Sequence, residues 1–205
     1  MKRLSNGAIV KIPLNFDLGY SLVRFEKYDK IDPNVTLPEG IRLLSFNEDQ
    51  LNTDTFLCEP LLLGGIREAL RKHGWENLGV LNKDMISEEL PLFKGGCETE
   101  EDLENGDWYV FEKVSLSYKS KTEYDRVKFL QPFVAYGTGS IEFKFTLLYL
   151  IIEGIDLEKY YDLNDASFRW ELRELLMSPP IIPEWDSLFS VLIKKHPELV
   201  KPFLI

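Results

Sequence analysis

Two cysteines, Cys58 and Cys97, and two histidines, His73 and His196, are all the thiol and imidazole this chain has for metal binding, nucleophilic attack or general-base work. A zinc site needs three or four such ligands at short spacings, and the sequence has neither a C-x-x-C nor an H-x-x-x-H pair, so no metal is expected. A Ser-His-Asp or Cys-His site would have to use His73, beside Gly74 at an expected helix end, or His196, which precedes Pro197 in a charged turn. Both read as surface or capping residues. Cys58 lies in an apolar run and reads as a small core residue, while the acids beside Cys97 disfavour its thiolate.

Phosphate chemistry fares no better. Gly137-Thr138-Gly139-Ser140 begins like a phosphate loop, but Glu142 stands where G-x-G-x-x-G needs its third glycine, and no Lys-Ser or Lys-Thr pair completes a P-loop. With Gly64-Gly65, it reads as a tight turn into a helix. There is no G-x-S-x-G and no H-E-x-x-H. The pair Glu171 and Glu174 falls on an expected polar helix face, where solvated carboxylates do no acid–base work. No catalytic residue and no cofactor is expected, and the chain reads as non-enzymatic.

Charge is more informative. The formal net charge is −10, and it is uneven: 12 basic residues face 14 acidic ones up to Cys97, then 12 face 20. Such a surplus repels phosphate backbones and attracts basic partners. Its densest part is Glu100-Glu101-Asp102-Leu103-Glu104-Asn105-Gly106-Asp107-Trp108. Carboxylates bordering an aromatic anchor are the composition of a protein interface. Glu100, Glu101, Asp102, Glu104, Asp107 and Trp108 are therefore the candidate partner-binding residues; the alternative is a flexible acidic loop followed by a core strand with Trp108 inside.

The elements that position these residues follow from periodicity. Gly7 to Leu14 and Tyr20 to Phe25 read as an opening hairpin, Ile41 to Phe46 as a strand, Leu62 to His73 as a helix closed by Gly74, and Trp75 to Leu81 as a strand. Gly95 to Asp107 carries six acids and almost nothing apolar, which suits a linker or solvated loop. Trp108 to Leu116 and Val127 to Ala135 read as strands, with Tyr118 to Arg126 as the loop between them and Pro132 at an edge or bulge. Three helices follow. Ile141, Phe145, Leu148 and Ile152 stripe the first, ended by Gly154. Phe168, Leu172, Leu175 and Leu176 stripe the second, capped by Asn164-Asp165 and ended by Pro179-Pro180. Trp185, Leu188, Phe189, Leu192 and Ile193 stripe the third.

The opening Asn6-Gly7-Ala8-Ile9-Val10-Lys11-Ile12-Pro13-Leu14, then Gly19-Tyr20-Ser21-Leu22-Val23-Arg24, resembles the start of the Imm26 family of bacterial immunity proteins. Trp75-Glu76-Asn77-Leu78-Gly79-Val80 and Glu89-Leu90-Pro91-Leu92-Phe93 are similar to later elements of that family, so the resemblance covers residues 6–94. It implies an antitoxin that binds and neutralises a cognate bacterial toxin, without catalysis. It transfers no binding residue.

The expectation is therefore an α+β protein. Residues 1–96 form a small bent antiparallel sheet, SH3-like, with one helix. Residues 97–107 form an acidic linker or loop, and residues 108–205 a few strands followed by three helices. The longest apolar block, Phe145 to Ile152, is far short of the ~20 residues of a membrane span. No apolar segment follows the basic residues Lys2 and Arg3, and two cysteines make no disulfide framework, so a soluble cytoplasmic protein is expected. The expected partner is a basic toxin such as a nuclease, with no nucleic acid and no membrane. A regulatory protein-binding module is the alternative, and an enzyme of unrecognised type the remote one.

Overall fold

The computed structural model describes residues 4–52, 55–80, 89–96 and 106–200. Nine strands occur there: β1 (Ala8–Pro13), β2 (Tyr20–Lys27), β3 (Glu39–Ser45), β4 (Leu61–Leu63), β5 (Glu76–Val80), β6 (Phe93–Gly95), β7 (Trp108–Phe111), β8 (Lys119–Thr122) and β9 (Ala135–Tyr136). The helices are α1 (Ile66–Lys72), α2 (Tyr124–Val127), α3 (Thr138–Ile152), α4 (Ala166–Met177), α5 (Trp185–Lys195) and α6 (Pro197–Val200). The class is α+β.

Strands β1 to β3 meander because each is β-branched or apolar at alternate positions and joined through turns. The first sheet runs β5-β1-β2-β3-β4-β9, antiparallel except for β4 against β9, which is parallel. One face places Val10, Ile12, Val23, Phe25, Ile41, Leu43, Leu61 and Leu63 against Ile141, Phe145 and Leu148 of α3. The other face is divided. Ile9, Leu22 and Leu44 pack under Leu51 and Phe56, whereas Leu62 and Tyr28 pack against Phe93 of the second sheet and Val114 of its β7–β8 connection. The second sheet runs β6-β7-β8, all antiparallel.

Arg24 and Arg42 stand directly opposite each other on β2 and β3. Like charges in that position repel. Glu26 resolves the conflict: its Oε1 accepts from Arg24 Nη2 at 2.7 Å and from Arg42 Nε at 2.9 Å, and its Oε2 accepts from the Tyr28 hydroxyl at 3.0 Å. Both guanidinium groups lie over the Phe56 ring, at 4.4 and 5.0 Å.

Several expectations hold in detail. Gly74 and Gly154 take φ of +71 and +63 at helix ends, and Asp165 caps α4 by accepting from the amides of Ser167 and Phe168. Three differences stand out. Lys119–Thr122, expected within a loop, is the outer strand β8, whose ladder to β7 its polar side chains do not disturb. The expected strand from Val127 to Ala135 is instead the end of α2, an irregular stretch and the two-residue β9. Pro132 makes only an isolated bridge, to Lys94. Finally, Leu62 and Leu63, expected within the helix ending at His73, belong to β4, and α1 begins at Ile66. Strands β6 and β7, on either side of residues 97–107, pair with each other, and β9 joins the sheet begun by β1.

Candidate functional site: an apolar groove beside the second sheet

The described structure has a groove of about 540 Å³ between the second sheet and α4. Its sheet wall is Lys94, Gly95, Gly96, Trp108 and Phe111, its rim is Leu116 and Pro132 to Val134, and its helix wall is Trp170, Glu174 and Met177. The last three recur at i, i+4 and i+7, the spacing of one helix face.

Three of these apolar side chains face water. Leu116 is 58 % exposed, Trp170 50 % and Val134 47 %. Single exposed apolar residues are ordinary, but three around one concavity form a contiguous patch of the kind that marks interaction sites.

The local backbone holds Leu116 in place at a cost. Lys113 and Val114 take φ of +55 and +50 in the β7–β8 connection, a conformation costing about 1–2 kcal/mol for an ordinary residue and disfavoured most for a β-branched one. Val114 is nevertheless fully buried against Tyr28, Leu62 and Phe93. The amide of Thr36 donates to Val114 O at 2.9 Å, and the Thr36 hydroxyl accepts from the amide of Leu116 at 3.2 Å. Burial of Val114 and these two bonds fix the turn, so Leu116 projects from a rigid base.

Lys94 fastens the groove floor. It is 2 % exposed, and its ammonium donates to the carbonyl oxygens of Lys128, at 2.9 Å, and of Met177. These oxygens belong to the C-terminal ends of α2 and α4, where a cation is favoured.

The sequence-expected residues fall in two groups. Glu100, Glu101, Asp102 and Glu104 lie outside the described residues. Asp107 is exposed and paired with Lys121, which holds its carboxyl below the usual range. Trp108 is only 5 % exposed, as in the reading that starts a core strand there: its ring packs on Tyr124 at 4.7 Å, beside Val127 and Met177. The tryptophan the groove offers to solvent is Trp170. Gly96 and Trp108, described residues before and after residues 97–105, both line the groove.

Behind α4 lies a second polar group that the sequence reading did not single out. Lys144, on the apolar α3, is 4 % exposed, with its Nζ 5.0 Å from the Tyr136 ring centroid. Burial lowers its pKa, opposed by the carboxylates of Glu174 and Glu171. Burial likewise raises Glu171, countered by Lys144. Glu171 and Glu174, expected on a solvated face, are thus both half-buried around one ammonium. The signal was present: Lys144 is the one charged residue between Glu142 and Glu153.

The residues weighed for chemistry are scattered. His73 Nδ1 lies 3.8 Å from Glu142 Oε1, which already accepts from Trp75 Nε1 at 2.7 Å. His196, expected at the surface, is 3 % exposed and borders a cavity of about 50 Å³, with its Nδ1 3.9 Å from Glu158. It is the residue that ends α5, and it lines that cavity with Leu150 and Leu157. Cys58 is buried as expected, and burial pushes its thiol up to about 11. Among the described residues, no cluster of His, Cys, Asp or Glu could hold a metal ion. No helix there is long and apolar enough to cross a membrane.

No protein-family model, curated protein or solved structure matches the chain. The likeness of residues 6–94 to the immunity family rests on the quoted residues alone.

Proposed function

We propose that the chain is an immunity protein that binds a basic bacterial toxin and neutralises it by stoichiometric association. The groove carries this reading: a concavity of about 540 Å³, with Leu116, Val134 and Trp170 open to solvent on fixed elements, is shaped to receive side chains of another protein. The charge of −10 favours a basic partner and accelerates its approach. The resemblance of residues 6–94 supplies the class of that partner.

The test is co-expression with the toxin domain encoded beside this gene, isolation of the complex and calorimetric titration. The expected result is a 1:1 complex whose affinity falls as salt shortens the screening length toward about 8 Å. Leu116→Asp and Val134→Asp should each weaken it about tenfold or more, with unchanged melting temperature because both side chains are exposed. Unaltered affinity in both variants would remove the groove from the interaction. Failure of any toxin domain to bind would end the immunity reading.

A further inference from the structure

We infer that Trp170 and Glu174 form an anchor for one arginine side chain of the partner segment that enters the groove; this rests on the protein-binding role just proposed. The two residues are one helical turn apart on the groove face of α4, so the ring and the carboxylate are neighbours. That pairing suits a guanidinium, which can stack on an indole while presenting its N–H fork to a carboxylate.

Glu174 is the one carboxylate in the described lining of the groove. Lys94, the other charged group of the lining, has its ammonium on the carbonyls of Lys128 and Met177. Behind α4, Lys144 faces both Glu171 and Glu174. Glu171 also bonds Ser140, whereas the Glu174 carboxylate has no hydrogen-bond partner among the described residues. The Trp170 ring already accommodates one guanidinium: Arg173 Cζ lies 5.3 Å from its centroid, yet half the residue remains open. Leucine-sized side chains beside the arginine would meet Leu116, Phe133 and Val134.

The probe is a blocked peptide with one central arginine between paired leucines, compared with the same peptide carrying citrulline, which keeps the shape and loses the charge. Binding to the intact chain is followed through the indole N–H resonances of Trp170 and Trp108. The arginine peptide should shift Trp170, and citrulline or Glu174→Gln should weaken binding by about tenfold, the scale of one lost hot-spot contact. Trp170→Ala should do the same, while Trp170→Phe should keep part of the affinity. Equal binding of both peptides, or an unaffected Glu174→Gln, overturns the arginine anchor while leaving groove binding intact. If neither peptide shifts either indole and the toxin complex also ignores Leu116→Asp, the anchor and the groove reading fall together.

Discussion

Replacing Glu26 by glutamine is the sharpest test of how the first sheet is held. The carboxylate is 7 % exposed as a residue and receives Arg24, Arg42 and the Tyr28 hydroxyl at 2.7, 2.9 and 3.0 Å. Glutamine keeps the shape but removes the charge: its carbonyl oxygen can still accept from both guanidiniums while its NH2 turns to the Tyr28 hydroxyl, which can accept, so the two arginines lose their counter-charge. It also exposes Arg24 and Arg42, paired across β2 and β3, to each other. Breaking a buried ion pair from one side costs roughly 3–5 kcal/mol. In a domain of this size each kcal/mol lowers the melting temperature by about 2–4 °C, so a fall of roughly 6–20 °C is expected. Arg42 keeps a longer contact to Glu59, at 3.8 Å, which favours the lower end. The control is an apolar replacement of the whole network, Arg24→Met, Glu26→Leu, Tyr28→Phe and Arg42→Met together. Removing these charges together leaves no guanidinium facing its like, and the Glu59 side chain that Arg42 reaches is 30 % exposed, so this variant should lose much less than Glu26→Gln. Thermal and urea unfolding followed by circular dichroism give both numbers. A Glu26→Gln protein melting within about 3 °C of the wild type, or a quadruple variant as damaged as the single one, would refute the account.

Three further outcomes follow from the same kind of reasoning. Lys94→Met leaves the carbonyls of Lys128 and Met177 buried without their donor, at about 1–3 kcal/mol each, and should shift the urea midpoint down accordingly. Gly40→Ala places a methyl group against the Tyr28 hydroxyl oxygen and ring, so it should destabilise by about 1–3 kcal/mol, and adding Tyr28→Phe should recover part of the loss in a double-mutant cycle. Burial raises Glu171 above its ordinary 4.5, so the folded state holds the proton longer than the unfolded one. That group's contribution to stability therefore falls as pH rises from 4.5 through the folded value. Glu171→Gln removes this loss, and its melting temperature should gain on the wild type across that rise; a constant difference between the two curves would contradict it.

What the sequence makes legible is local. Gly74, Gly154 and Asp165 announce helix ends because the chemistry of a cap is complete within a few residues. The stripes of α3, α4 and α5 announce helices because each repeats over three or four turns. Strand β8 is hidden because Lys119-Ser120-Lys121-Thr122 is exposed, and an outer strand needs no apolar face. Strand β9 is hidden because two residues carry no periodicity; its place is set by Leu62 and Leu63, more than seventy positions earlier. The groove is illegible for the same reason. Its walls come from four separate stretches of chain, and the acid run could draw the eye to Trp108 only, because Trp170 lies on the far wall, in helix α4. Lys144 was legible as an oddity but not as a site, since Glu171 and Glu174 reach it only through the packing of α4 on α3.

The parallel join of Leu62-Leu63 to Ala135-Tyr136 has a bearing on how the protein is made. When β4 leaves the ribosome, the helix that will cover its core face, α3, still lies about 75 codons downstream and is complete only at Ile152. At roughly 5–20 residues per second, the nascent first sheet keeps an apolar face and an open flank for several seconds. During synthesis, then, the half that looks self-sufficient on paper depends on a chaperone or on its own late arrivals, and a truncated gene ending near residue 96 should yield inclusion bodies rather than a small soluble fragment.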